Sequence, residues 1–192
     1  MFTLAEPSEE TIRNFISNQS NAPFSYPEVG ATQSVVPDSY TMDHNRIELG
    51  RGAEVFDKAV EALKQWRQLD LGWVTIVPRG VKLEKGATVA VKARAGGLWS
   101  LSAARVVYMV DEEGPVRRFG FAYGTLPDHV ERGEERFLIE WNTSDDTVWY
   151  DILAFSQPRH PMVRMGFLYA RMLQKRFARN SLALMRSIAN HP

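Results

Sequence analysis

Between Trp73 and Ser156 the chain alternates apolar and polar residues with a period of two, and turn residues cut this run into six pieces. The pieces are 73–77, 88–94, 98–110, 116–125, 134–141 and 148–156. Gly96-Gly97, the run from Asp111 to Pro115 and the run from Asn142 to Asp146 are too short for crossovers, so the strands they join must pair antiparallel. Such a sheet needs cover over its apolar face. Pro158 and Pro161 end the strands and suit a first helical turn, and a helical period then continues to Ile188. Met162, Gly166, Tyr169, Leu173, Phe177, Leu184 and Ile188 share one face of that helix. Arg164, Arg171, Lys175, Arg179 and Arg186 share the opposite face. The last helix is therefore the expected cover for the sheet.

Residues 40–49 add a seventh strand, broken by Gly50-Arg51-Gly52. A helix follows over 53–69, with Phe56, Ala59, Val60, Leu63 and Trp66 at helical spacing. Ser8-Glu9-Glu10 opens a short first helix whose apolar face is Ile12, Phe15 and Ile16. Residues 23–37 are irregular, pinned to the body by Phe24 and Tyr26. The expected architecture is α+β, a curved antiparallel sheet of about seven strands wrapped around a long C-terminal helix. A single domain, 1–192, is expected, with 1–39 as N-terminal helix and irregular segment and 40–192 as sheet and helix.

The charge is balanced, 23 basic against 23 acidic residues, so no nucleic-acid partner is expected. The chain has no cysteine, which excludes disulfides, thiol nucleophiles and thiolate metal sites. Its four histidines are scattered, and neither a metal nor a cofactor is expected. Residues 1–10 lack the basic and apolar regions of a signal peptide, and no stretch reaches the roughly 18 apolar residues of a membrane span. These readings point to a cytoplasmic protein.

The sharpest polar cluster lies between two strands, from Thr125 through His129 to Glu135. His129 is a candidate general base, oriented by Glu134 or Glu135, because imidazole titrates near neutrality and a carboxylate fixes its tautomer. The same residues also make an ordinary hairpin loop whose polar groups cap the backbone. Arg105 sits among apolar strand residues and needs a partner, with Asp151 and Glu135 as candidates, or else reaches out to water. Gly50-Arg51-Gly52 opens a helix and offers N–H groups to a phosphate, or is a plain turn. Tyr26, Trp73, Trp99, Arg105, Phe121, Tyr123, Phe137, Met162 and Tyr169 are the candidate lining of a ligand pocket, or members of a packed core. The basic stripe of the last helix suits a peripheral membrane contact or simply faces water.

The run from Phe119 to His129 (Phe-Gly-Phe-Ala-Tyr-Gly-Thr-Leu-Pro-Asp-His), followed by Gly133-Glu134-Glu135-Arg136-Phe137, resembles a family of bacteria and plants known as domain of unknown function nineteen-ninety. Phe24 to Tyr26, Val29 to Thr32, Gly50 to Gly52 and the stretch from Trp66 through Trp73 to Pro78 fit the same pattern, so the resemblance spans 24–177. The element order is also similar to the helix-grip superfamily of START domains, pollen-allergen relatives and polyketide cyclases. That likeness implies an apolar or amphipathic small molecule held between sheet and last helix. The segment before Tyr40 departs from that pattern and bears on the shape of any cavity mouth. The expected function is binding of such a molecule. The alternatives are an acid–base enzyme at His129 with Glu134 or Glu135, and an interaction module using the basic helix face.

Overall fold

The computed structural model describes residues 1–159 and 167–191. The six-piece run folds as six strands, β3 (Val74–Val77), β4 (Thr88–Ala95), β5 (Leu98–Glu112), β6 (Val116–Thr125), β7 (Glu131–Asn142) and β8 (Thr147–Pro158). They follow β1 (Phe2–Thr3), α1 (Glu9–Gln19), β2 (Thr41–Arg51) and α2 (Ala53–Lys64), and α3 (Phe167–Asn190) comes last. The sheet order is β2-β8-β7-β6-β5-β4-β3. Every neighbouring pair is antiparallel, as the short turns require. The two-residue β1 carries no readable period. It pairs with β5 at Trp99 and Ser100, beside the part of β5 that β6 does not reach. The result is a curved antiparallel sheet gripping the C-terminal helix, the helix-grip arrangement expected from the sequence.

The last helix does not cover the sheet alone. Both α2 and α3 pack on the concave face, where Leu49, Phe56, Leu63, Phe121, Phe137, Tyr150 and Met185 form the main core. The deepest residues of α3 are Ala178, Ser181, Met185 and Ala189, a line offset from the expected apolar stripe. Small side chains there let the helix approach β2 and α2 closely. Met162, Met165 and the expected helix start at Pro161 lie outside the described residues.

The helix expected over 53–69 stops early. Trp66 takes a left-handed backbone (φ 60°), and a 3-10 turn follows at Arg67–Leu69. That turn buries the indole edge-on against Phe121, centroids 4.8 Å apart, with Nε1 donating to the Val81 carbonyl at 2.9 Å. Core packing outweighs continued helix at this point.

The N-terminal segment lies on the convex face of the sheet. Ser8 caps α1 by accepting from the Thr11 N–H at 3.2 Å, and Ile12 and Phe15 pack on Val77, Ala90, Leu101 and Ala103. Tyr26, Ala31 and Tyr40 close over Phe155. Arg105 is the clasp for α1. Its guanidinium donates to the carbonyls of Gln19 and Ala22 at 2.9 Å and of Ser20 at 2.8 Å. These carbonyls, at and just past the C-terminal end of α1, take the place of the expected Asp151 or Glu135.

The small residues of β6 now have a reason. Ala122 packs in a cluster with Phe24, and Gly124 lies directly under the Tyr26 ring. A methyl group at 124 would overlap the Tyr26 hydroxyl and ring. Gly124→Ala is expected to destabilise the protein by about 2–3 kcal/mol, read as a lower urea midpoint at unchanged slope. An unchanged midpoint would mean that Tyr26 is not held there.

Candidate functional site

Two ends of the concave face differ in side-chain size. At one end Phe119, Phe121, Phe137 and Trp141 fill the space under α2. At the other end the inward positions carry Ala93, Ala95, Ser100, Ser102 and Ala154, which are too short to reach α3. A cavity of about 740 Å³ opens there. Tyr123, Ile152 and Val91 form much of its floor, and Leu173, Phe177 and Ala178 its helical side. Most of its wall is apolar.

Three polar ties span it. Arg171 donates to both oxygens of Asp43, at 2.5 and 2.6 Å, and joins α3 to β2. Gln174 donates to Glu131 at 2.7 Å and to Ser156 at 3.2 Å, and joins α3 to β7 and β8. Trp73 donates from Nε1 to Asn180 at 3.2 Å, under the Arg176 guanidinium. On the opposite side the Tyr169 hydroxyl lies against Gly96 in the β4–β5 turn. The first half of α3 is thus a roof fixed at both sides. Arg171, expected on the outward basic stripe, turns inward to serve it.

Inside, Tyr123 donates its hydroxyl to Glu135 at 2.7 Å. Burial pushes the Glu135 carboxyl up to about 7, and the nearby Glu131 and Asp43 add to the rise. Burial also raises Glu131 and holds the Tyr123 phenol well above its usual range. His129 is half-buried, and desolvation lowers its imidazole to about 4. Its Nδ1 lies 3.0 Å from both the N–H and the carbonyl oxygen of Glu131, so either tautomer of the neutral ring finds a partner there.

The expected pairing of His129 with Glu134 or Glu135 is not formed. Glu134 and Glu135 are neighbours on a strand, so their side chains leave opposite faces. Glu135 faces the cavity. Glu134 turns to the convex side and accepts from Tyr26 (2.6 Å), from the N–H groups of Gly30 (2.7 Å) and Thr32 (3.1 Å), and from the Thr32 hydroxyl. His129 meets the Glu131 backbone instead of either carboxylate.

Of the candidate pocket residues, the cavity brings together Trp73, Tyr123 and Tyr169. Phe121 and Phe137 are fully buried in the core beside it. Tyr26, Arg105 and Trp99 are on the convex side, the last under Lys92 and Arg94. Met162 lies outside the described residues. Asp151 pairs with Arg136 at 2.9 Å and His44 at 2.5 Å. Arg51 donates to the Asp145 carbonyl at 3.3 Å. Sequence reasoning missed Glu131, Gln174, Arg171 and Asp43. The visible signal for the cavity was the row of small inward residues on β4, β5 and β8.

Glu135 and His129 bend the stability curve in opposite directions. Glu135 rises from 4.5 to about 7 on folding, so its contribution is full below pH 4.5 and is lost as pH rises toward 7. His129 falls from 6.5 to about 4, so its contribution is full above pH 6.5 and is lost as pH falls toward 4. Between these limits the two terms oppose each other. Glu135→Gln is expected to leave a stability that climbs with pH in that window, and His129→Gln one that declines. Each change is on the order of 3 kcal/mol across its window, read by urea unfolding at stepped pH. Two variants that simply parallel the wild type would contradict the assignment.

The comparisons agree with the fold. A family profile described as Domain of unknown function (DUF1990) matches residues 25–184. A UPF0548 protein of Dictyostelium discoideum is 37% identical over 200 residues, covering 94% of this chain and 92% of its own. A UPF0548 protein of Deinococcus radiodurans is 34% identical over 193 residues, covering 94% of each. Among solved structures, the hypothetical protein jhp0584 from Helicobacter pylori superposes with a TM-score of 0.53 at 11% identity, covering 88% of this chain and 96% of its own. Ara h 8.0201 superposes with a TM-score of 0.46 at 11% identity, covering 77% and 99%. The likeness to jhp0584 is one of fold. The profile match, together with relatives aligned along nearly their whole length, means that this chain belongs to the DUF1990 family, that of the UPF0548 proteins.

Proposed function

We propose that this protein binds a small hydrophobic or amphipathic molecule between its sheet and the first half of α3. The observation that carries this reading is the cavity of about 740 Å³ between the sheet and the last helix. Small-molecule sites run from roughly 300 to 1,000 Å³, with mostly apolar walls and a few convergent polar groups. Tyr123, Glu135, Glu131 and Gln174 are such groups here. An empty void of this size would be costly, because the side chains around it lack partners. The test is to purify the protein gently from its host, denature it and analyse the extract by mass spectrometry. The expected result is a near-stoichiometric apolar compound. An empty extract, combined with no saturable uptake of the neutral dye Nile red, would contradict the proposal.

One observation favours a second reading, turnover of the bound molecule. Glu135 is a carboxyl poised near neutrality, hydrogen-bonded to Tyr123 in the cavity wall. In this reading Glu135, rather than His129, moves the proton. Glu135→Gln would then keep ligand uptake and lose turnover of the recovered compound. Equal turnover in wild type and variant would leave binding alone.

A further inference from the structure

We propose that the cavity selects an apolar molecule carrying a protonated amine, seated against Glu135. This inference rests on the cavity reading above and narrows it to a class of ligand. It starts from the count of charges at the polar end. The groups facing Glu135 come from every neighbouring element. They are Asp43 on β2, Tyr123 on β6, His129 before β7, Glu131 on β7, Tyr150 on β8, and Arg171 and Lys175 on α3. Asp43 is answered by the bidentate Arg171, which also reaches the Gln174 amide oxygen at 2.5 Å. Asp151 on the far face takes His44. Lys175 lies at the rim with its side chain exposed.

Glu135 remains without a cation among the described residues, and Glu131 feels only the charge of Arg171, whose hydrogen bonds go to Asp43 and Gln174. Glu131 holds the Gln174 amide, and Glu135 holds the Tyr123 hydroxyl. Both donors are neutral. An ionised carboxylate has about four acceptor sites, so Glu135 with one phenol has acceptor capacity left over. Burying a carboxylate without a positive partner is costly, and a ligand cation placed there would remove that cost. An ammonium brings three donors and a full charge, and its hydrogen bonds to a carboxylate are about twice as strong as neutral ones. A ligand carboxylate in the same place would meet Glu131 and Glu135 as like charges. A neutral alcohol would form one ordinary hydrogen bond. The apolar remainder of the ligand would lie along Val91, Ile152 and Leu173.

The test uses matched probes, decylamine, decanol and decanoate, titrated into the wild-type protein by calorimetry at pH 6.5. The expected order is amine, alcohol, carboxylate, with the amine bound about tenfold or more tightly than the alcohol. Amine binding should also release a proton, as Glu135 ionises to meet it, seen as a heat that varies with the ionisation enthalpy of the buffer. Glu135→Gln should bring amine and alcohol to equal affinity, and the wild-type order decides the matter even if that variant folds poorly. Equal affinity for all three probes would overturn the amine preference while leaving the cavity reading intact. Tightest binding of decanoate would do the same. Failure of all three to bind would overturn the cavity reading, and this inference with it.

Discussion

Ala154→Trp is expected to abolish uptake of apolar ligands while the protein remains folded. Ala154 sits on β8 opposite Glu135 of β7 and Asp43 of β2, and its side chain lines the cavity. An indole there enters the space that a ligand would take. It also supplies apolar contacts that the wall now lacks, so thermal stability should hold or rise slightly. Nile red titration and a thermal melt on the same sample separate the two effects. Binding should fall below detection, with a melting temperature no lower than that of the wild type. A variant that still takes up dye with wild-type affinity would place the site elsewhere. A variant that melts much lower would mean that the space is already filled by protein.

Glu134→Ala should produce the largest loss of stability, about 3–5 kcal/mol, with a fall in melting temperature of roughly 10 °C. Glu134 is 3% exposed, yet it accepts hydrogen bonds from Tyr26, Gly30 and Thr32 on the convex face. These donors belong to the irregular stretch between α1 and β2, which has little helix or sheet to hold it. The carboxylate takes the place of that missing ladder. Truncation takes the acceptor from four donors at once, the Tyr26 hydroxyl, the Gly30 N–H, and the N–H and hydroxyl of Thr32. Glu134→Gln keeps one acceptor oxygen and should lose less. Limited proteolysis should cut the variant first between α1 and β2. A loss below about 1 kcal/mol would show that Phe24, Tyr26 and Tyr40 hold the segment by apolar packing alone.

The contrast between Glu134 and Glu135 shows where the sequence stopped being legible. The two are adjacent and chemically equal, and strand parity sends one into the cavity and the other to an N-terminal clasp. The period of β7, with Phe137, Ile139 and Trp141 on one face, puts Glu135 on that face and Glu134 on the other, but it does not say which face holds a cavity and which a clasp. Long strands were plain. β5, β6 and β8 have strong alternation and explicit turn residues at their ends, and their expected bounds differ from the folded ones by two residues or fewer. Arg105 reads in the sequence either as a buried cation that needs a partner or as one that reaches water, and its partners are backbone carbonyls at the end of a helix far away in sequence, which no pattern announces. The aromatic residues drew attention as a possible lining, yet Phe121 and Phe137 fill the part of the interior that α2 closes. Space remains where the inward residues are small, and Ala93, Ser102 and Ala154 stood in the sequence at the right parity.

The most direct measurement of the central claim is a titration of the isotopically labelled protein with decanol, followed by chemical-shift mapping. The account predicts saturable shifts at Val91, Ala93, Tyr123, Ile152 and Leu173, with little change at Ile12, Phe24 or Tyr26 on the far side of the sheet. Shifts confined to that far side, or spread over the surface without saturation, would contradict it.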